Sequence, residues 1–291
     1  MNNQSGQTVC IDIDPTNPGQ FFACCGLLEL ADRSWNGAEG WFDTYTFSMR
    51  PLSAVATPST GQLAAELGRC RLTNIMTEQQ LTRLEELAAM TKKERAAVPG
   101  SENERSELER LRRESALILH DPFNIQIDWF LDSRSGGNRF KTWAGQQSVV
   151  DIARAMKRPI ETGAWDSLSP KRWLSQTTDD DGLPFNFDSD LGGQASALDV
   201  GFSFDPLGMA SKTRPLIELA AFIGLQRFRP RPDAKDNRFL FALWDLPLTP
   251  QIASVAASDM LAMPGLRVFE FRLLYRTKYL KSFLSAQPIS R

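Results

Sequence analysis

The sequence lacks the groups from which most enzyme active sites are built. It contains a single histidine, His120, and no recognisable nucleophile motif or other catalytic signature. Four cysteines are present, but none has Cys-x-x-Cys spacing, and one histidine is too few to complete a zinc site with them. We therefore expect a protein that is not an enzyme, with no metal, no cofactor and reduced, buried thiols.

Long apolar runs and a general basic charge are also lacking. No stretch approaches the roughly 18 consecutive apolar residues of a membrane span, and no basic segment followed by an apolar run opens the chain. The formal net charge is −2. These features predict a cytoplasmic protein without membrane contact, in which any contact with a polyanion must come from a local cluster of charge.

What the sequence does contain is ample material for a core, since 42% of its 291 residues are hydrophobic. Short alternating segments predict strands at residues 9–13, 41–49, 123–131, 239–246 and 267–275. Apolar residues at helical spacing predict helices at residues 18–32, 146–157, 215–228 and 250–260. This order indicates an α+β fold, with helices packed on a mixed or antiparallel sheet.

A charged helical segment interrupts this pattern. Thr77 and Ser101 each begin an apparent capping box, and Pro99-Gly100 separates the two. Eight Lys or Arg residues balance eight Glu residues between positions 83 and 114, which favours a solvated face or a protein contact over a nucleic-acid role. The predicted organisation is a body interrupted once by a helical hairpin: residues 1–76, the hairpin 77–119, and residues 120–291.

The stretch 133–147 places basic and amide side chains on a glycine turn between an extended run and a helix. From Arg134 to Arg158 there are six Lys or Arg residues and one acid, Asp151. Such groups suit phosphates and base edges. The alternative is a glycine hairpin turn with incidental surface charge. The candidate binding residues are Arg134, Asn138, Arg139, Lys141, Gln146 and Gln147.

A second basic stretch, the arginine run, consists of Arg227, Arg229 and Arg231. The prolines at 230 and 232 favour an extended chain, so that alternate arginines could follow a phosphate backbone. The end of the preceding helix would favour one or two of these cations without any ligand, but not all three. We include all three as candidate binding residues.

Residues 174–211 have the opposite character, with seven aspartates and no Lys or Arg. Clustered carboxylates could hold a divalent cation or form the two-metal site of a nuclease, although calcium-loop spacing is missing. The segment could also pack on a basic partner or shield the protein's own basic groove. His120 beside Asp121 could serve as a general base, or simply make a local hydrogen bond at a strand edge.

Four sequence blocks are similar to a known family. They are residues 17–30 (NPGQFFACCGLLEL), 141–147 (KTWAGQQ), 199–203 (DVGFS) and 222–230 (FIGLQRFRP). Together they resemble the Csb-type compact large-subunit family of type I-U, or I-G, CRISPR–Cas loci. The resemblance implies a large-subunit component of a Cascade surveillance complex. Its partners would be the guide RNA, target double-stranded DNA, the backbone and guide 5′-end subunits, and the helicase-nuclease.

The resemblance further implies recognition of the protospacer-adjacent motif in duplex DNA and support for strand opening. The residue roles follow from charge and turn chemistry and not from the family: Arg134, Arg139 and Lys141 would neutralise phosphates, and Asn138, Gln146 or Gln147 would probe base edges or separate strands. Three alternatives remain open. They are a guide-RNA-binding or processing subunit in which His120 serves in RNA cleavage, a metal-dependent nuclease that uses the aspartate-rich segment, and a scaffold whose basic patches face protein partners.

Overall fold

A computed structural model shows that the chain has an α+β fold. The residues that it describes are 8–53, 60–121, 123–131, 139–144, 147–180, 184–191, 211–233, 238–261, 263–275 and 281–290. In this part of the chain the sheets are antiparallel and do not close into a barrel.

The helices, in chain order, are α1 (Pro18–Ser34), α2 (Thr60–Arg69), α3 (Glu78–Ala89), α4 (Lys92–Ala97), α5 (Ser101–Glu114), α6 (Val149–Glu161), α7 (Pro215–Arg227) and α8 (Pro250–Ala257). The strands are β1 (Val9–Asp12), β2 (Ala38–Phe42), β3 (Thr46–Pro51), β4 (Leu72–Asn74), β5 (Leu117–Leu119), β6 (Ile125–Ile127), β7 (Thr178–Asp180), β8 (Ser211–Thr213), β9 (Arg231–Asp233), β10 (Arg238–Leu243), β11 (Arg267–Tyr275), β12 (Lys281–Phe283) and β13 (Gln287–Pro288).

Two helices, α1 and α7, form the centre of the fold. They approach so closely that a Cβ atom on Gly26 would lie 1.9 Å from the Ala220 carbonyl oxygen, and one on Gly224 would lie 2.1 Å from that of Phe22. Only glycine fits at these crossings. We expected each helix to bury one face, but residues 18–31 and 215–225 are buried on every side, because sheets and loops cover the faces that do not touch the other helix.

Aromatic packing joins this helix pair to two of the sheets. One sheet has the strand order β1-β3-β2, and the other has the order β12-β11-β10-β9, with β13 also paired to β11. Phe21 of α1 stacks on Phe241 of β10 with ring centroids 4.4 Å apart, and it lies 5.4 Å from Phe42 of β2. Trp244 Nε1 donates to the Gly40 carbonyl at 2.7 Å, which ties the second sheet to the first.

One expected strand, residues 41–49, is instead a hairpin of β2 and β3. The chain turns at residues 43–45, where the Asp43 backbone N–H donates to the Thr46 carbonyl at 2.8 Å and the Asp43 side chain accepts from the Thr44 N–H at 2.7 Å. An aspartate that bonds its own backbone supplies a turn without glycine or proline, and for this reason the alternation of aromatic residues concealed it.

The charged helices lie between two paired strands. β4 and β5 are neighbours in a three-stranded sheet with β6, and α3, α4 and α5 occupy the connection between them. Met76, Leu84, Leu87 and Leu108 form a small hydrophobic cluster separate from the main core. The segment differs from the expected hairpin because a third helix, α4, follows α3 and because its last residues form β5.

Only one of the two expected capping boxes is present. Thr77 caps α3, with its side chain accepting from the Gln80 N–H at 3.2 Å. At the start of α5 the N-cap is Gly100, at φ 81°, and the Ser101 hydroxyl points inward to donate to the Arg95 carbonyl at 2.5 Å. The second box therefore lies at Thr91, which caps α4 together with Glu94.

Candidate nucleic-acid interface

Residues 139–144 carry two basic side chains on a segment that is anchored in the core. Phe140 and Trp143 are buried, and the Thr142 hydroxyl donates to the Phe185 carbonyl inside the protein. Arg139 is exposed, and Lys141 is half-buried with its Nζ 5.3 Å from the Trp143 ring centroid.

The structure adds a third cation from the end of the chain. The Lys281 backbone N–H donates to the Thr142 carbonyl at 2.8 Å, and Lys281 Nζ lies 3.4 Å from the Arg139 carbonyl. We name Arg139, Lys141 and Lys281 the cationic cluster. Lys281 also lies over the ring of Tyr275 at 5.3 Å. The sequence showed only that the chain ends with several basic residues, and nothing in it placed Lys281 beside position 139.

A pocket of about 220 Å³ opens at the cationic cluster. Its lining residues are Arg139, Phe239, Leu273, Tyr275 and Lys281. Tyr275 is 57% exposed, so one side of this pocket presents an accessible aromatic ring beside positive charge. An aromatic face next to Lys and Arg is the combination that holds a nucleic-acid base and its phosphate together.

Burial lowers the pKa of Lys141, an effect that Glu114 opposes and the nearby Lys281 reinforces. Burial also lowers the pKa of Lys281. Within the described residues, none of the three cluster cations forms an ion pair with a carboxylate. Among the described residues, the electrostatic effect of Glu114 on Lys141 is thus not accompanied by a direct ion pair to the cluster.

Of the other candidates in the stretch 133–147, only Gln147 lies in the described part of the chain. Its side-chain Oε1 accepts from the Ala144 N–H at 2.9 Å, and its backbone N–H donates to the Ala144 carbonyl at 3.0 Å. Gln147 is thus bonded to Ala144 through both its side chain and its backbone, two residues before α6 begins. Arg134, Asn138 and Gln146 lie outside the described residues.

The arginine run is placed elsewhere and is largely neutralised by the protein itself. Arg227 pairs with Glu29 at 2.7 Å, and Arg231 pairs with Asp259 at 2.9 Å. Arg229 is exposed and forms no ion pair with any residue that the structure describes. Arg227 lines a pocket with Glu29, whereas the pocket at the cationic cluster contains no member of the run. Neither of these two pockets is lined by described residues of both basic stretches.

The described part of the aspartate-rich segment makes internal contacts. Asp188 is 1% exposed, accepts from Asn17 Nδ2 at 2.7 Å and pairs with Arg214 at 3.2 Å. The same guanidinium reaches Asp190 at 2.9 Å. Among the described residues, no group of three or more His, Cys, Asp or Glu side chains is arranged to hold a metal ion. Asp181, Asp199 and Asp205 lie outside those residues.

A second buried acid lies beside Asp188. Glu218, in the first turn of α7, accepts backbone N–H groups from Phe187 at 3.2 Å and from Asp188 at 3.0 Å. Burial raises the pKa of Glu218 to about 8, even though these hydrogen bonds favour the charged form. Burial likewise raises the pKa of Asp188, against the effect of Arg214. We name Asn17, Asp188, Arg214 and Glu218 the buried polar cluster, and it joins the N-terminal ends of α1 and α7.

His120 makes local contacts at the end of β5. Its Nε2 lies 2.8 Å from the Thr73 hydroxyl, and its backbone N–H donates to the Arg71 carbonyl at 3.0 Å. The neighbouring Asp121 accepts from Asn124 Nδ2 at 2.8 Å. The hydrogen bond that the structure gives the His120 ring therefore joins it to the Thr73 hydroxyl group and not to Asp121.

No protein-family model and no curated protein matches the chain. Among the described residues no helix combines the length and the apolar character needed to cross a bilayer.

Proposed function

We propose that the chain is a non-catalytic, large-subunit-like component of a type I CRISPR RNA-guided surveillance complex, and that the cationic cluster binds target duplex DNA near the protospacer-adjacent motif. The observation that carries the proposal is the convergence of Arg139, Lys141 and Lys281. These cations come from segments about 140 residues apart, and no carboxylate among the described residues pairs with them.

The chemistry of the cluster supports a nucleic acid as its ligand. Three cations close together attract a polyanion, because each phosphate that they neutralise releases condensed counterions. The exposed face of Tyr275 offers a surface on which a base from an opened strand can stack. Lysines whose pKa is lowered by burial regain favourable interactions when phosphates approach them.

The resemblance of four sequence blocks to the Csb-type large-subunit family supports the assignment to a surveillance complex. In such a complex, guide–target pairing supplies sequence specificity, while the protein reads a short duplex motif and its shape. The cluster would hold the backbone beside this motif, aid strand opening and leave another surface to recruit the helicase-nuclease. The guide RNA and the backbone and guide 5′-end subunits would be the further partners, in the cytoplasm.

Arg134 and Asn138 immediately precede the cluster in sequence, and Gln146 and Gln147 follow it. We propose that these four residues extend the contact with DNA. Because Gln146 and Gln147 lie near Arg139 and Lys141 in the sequence, one of them would reach a base edge. Within the arginine run, Arg229 is available for a second backbone contact, because Arg227 and Arg231 are held by Glu29 and Asp259.

The test measures duplex binding by the assembled complex as a function of salt concentration. Replacing both Arg139 and Lys141 with alanine should lower the slope of log affinity against log salt by about two units, because each lost phosphate contact removes about one. Lys92→Ala/Lys93→Ala is a matched control. It removes the same charge from exposed positions of α4 and should leave the slope unchanged.

An unchanged slope in the Arg139→Ala/Lys141→Ala complex would reject the cluster as the DNA-binding site. An equal fall in the Lys92→Ala/Lys93→Ala control would show that overall charge, and not this site, governs binding. Lys281→Gln provides a second test, since the sequence alone did not associate Lys281 with the stretch 133–147, and it should lower the slope by about one unit.

A further inference from the structure

Another cavity, of about 500 Å³, shares no lining residue with the pocket at the cationic cluster. It is formed where the β2–β3 turn, the loop after β1, the start of β11 and the segment after β13 meet. Tyr45, Phe269 and Ile289 contribute to an apolar lining, and Arg267 and Asp14 are its charged residues. This volume is sufficient for a small organic molecule or for one or two residues of a peptide.

The apolar part of the cavity is accessible to a ligand. Tyr45 is 66% exposed although it lies at the mouth of an apolar pocket, whereas Phe269 is 6% exposed and forms part of the core. Two aromatic side chains that line one cavity, one exposed and one largely buried, give a ligand an apolar surface on which to pack. Tyr45 is held in place by its backbone, since its carbonyl accepts from the Ile13 N–H at 2.9 Å.

Arg267 supplies the polar anchor. Its guanidinium donates to the Asp43 carbonyl at 2.5 Å and to the Thr44 carbonyl at 3.5 Å, and it forms no ion pair with any described residue. Two of its five N–H groups are thus used to fix its position, and three remain for a ligand. A guanidinium held by neutral carbonyl groups beside an apolar cavity keeps its full charge for an anion.

Asp14 limits how negative that anion can be. Its carboxylate lines the same cavity, where it accepts from the Thr16 N–H at 2.8 Å and from the Thr16 hydroxyl at 2.7 Å. A phosphate chain would meet one cation together with this carboxylate and two carbonyl oxygens, which is unfavourable. A singly charged carboxylate needs only Arg267 and matches its planar fork of N–H groups.

We propose that this cavity binds a carboxylate attached to an apolar or aromatic group, with Arg267 holding the carboxylate and Tyr45 and Phe269 packing on the apolar part. A free small acid and the C-terminal residue of a peptide both supply this chemistry. The site is independent of the cationic cluster, which suits polyanions.

Ligand-observed NMR titration can test the proposal with N-acetylphenylalanine and its amide. The acid should bind about tenfold or more tightly than the amide, because a hydrogen-bonded charge contributes roughly a factor of ten in affinity. Arg267→Gln should abolish this preference, and Arg267→Lys should keep part of it. Arg272→Gln removes an exposed arginine five residues along β11, outside the cavity, and should leave the preference intact.

Tyr45→Ala separates the apolar contact from the ionic one. Because Tyr45 is mostly exposed, the variant should fold normally and should bind the acid and the amide more weakly by the same factor.

A short peptide that ends in phenylalanine, compared with its amidated form, distinguishes a peptide C-terminus from a free small acid as the ligand. Tighter binding of the free-acid peptide than of N-acetylphenylalanine would identify a chain terminus, and equal binding would identify a small acid. Equal affinity for acid and amide in the wild-type protein would overturn the proposal.

Discussion

The cationic cluster and the buried polar cluster use similar charged side chains for opposite purposes. In the buried polar cluster, Arg214 contacts Asp188 and Asp190, and the protein provides every charged partner that the structure shows for it. In the cationic cluster, Arg139 and Lys281 line a pocket, and neither forms an ion pair with a carboxylate among the described residues. The first arrangement holds helices together, and the second leaves charge for a ligand.

The difference shows that a count of basic residues along the sequence is a poor guide to binding sites. Arg227 and Arg231 belong to the most regular basic pattern in the chain, yet each has an acid partner from a distant segment. Lys281 belongs to no compact motif, yet it completes the cluster. Whether a cation is available depends on which acids the fold brings within about 4 Å of it, and that is a tertiary property.

Among the substitutions that test the difference between the two clusters, the largest expected effect is on the free energy of unfolding. Arg214→Met leaves the Asp188 carboxylate buried without its cationic partner, and we expect it to lower the free energy of unfolding by about 3 kcal/mol, as for other broken buried pairs. Urea denaturation measures the change. Asp190→Asn is the control, because Asp190 is the more exposed partner of Arg214 and its loss should cost under about 1 kcal/mol.

Equal losses of stability in the two variants would show that the buried Arg214–Asp188 pair contributes no more than the more exposed Arg214–Asp190 pair. This result would contradict the structural role that we assign to the buried polar cluster. Arg139→Ala should change the free energy of unfolding by no more than about 0.5 kcal/mol, as is usual for an exposed residue without internal partners.

The pH dependence of stability gives a second test. Glu218 has a pKa of about 8 in the folded protein, above its usual value of 4.5, so the folded state binds the proton more tightly than the unfolded state. The contribution of protonated Glu218 to the free energy of unfolding is therefore complete below about pH 4.5. It is lost as pH rises towards 8, by an amount on the order of a few kcal/mol. Glu218→Gln should flatten this part of the curve.

Denaturation midpoints between pH 5 and pH 9 would measure this slope. Asp188 lies next to Glu218, and its pKa is also raised, so the wild-type curve of stability against pH reports both carboxyl groups. Comparison with Glu218→Gln isolates the contribution of Glu218. A wild-type curve that is no steeper than that of Glu218→Gln across this range would show that Glu218 binds its proton equally well in both states.

Local signals in the sequence predicted much of the fold. Asn17 followed by Pro18 marked the start of α1, and the bounds of β11 were predicted to the residue. These elements depend on neighbouring residues, which the sequence displays directly. The all-round burial of α1 and α7 was not predicted, because an apolar stripe shows which face must be buried but not whether a partner also covers the opposite face.

The candidate site was predicted only in part for the same reason. Arg139 and Lys141 are close in sequence, so their shared surface followed from their spacing. Lys281 and Tyr275 joined them through the pairing of β11 with β12 and a hydrogen bond to Thr142, which are long-range contacts. The pairing of Arg227 with Glu29, across 198 residues, was equally invisible before the fold was known.

The last prediction concerns Arg227 and has a small expected effect. It decides whether Arg227 contacts DNA, as proposed for the cationic cluster, or serves only in an internal ion pair, as Arg214 does. Arg227→Ala should lower the free energy of unfolding by only about 1 kcal/mol, because Arg227 is partly exposed and Glu29 keeps its ion pair with Arg33 at 2.9 Å. The salt dependence of duplex binding should stay unchanged in the assembled complex. Arg229→Ala is the matched control, with no stability change and a slope lower by about one unit. A reduced slope with Arg227→Ala would mean that Arg227 exchanges Glu29 for phosphate on binding, so that an internal ion pair would not exclude a cation from the interface.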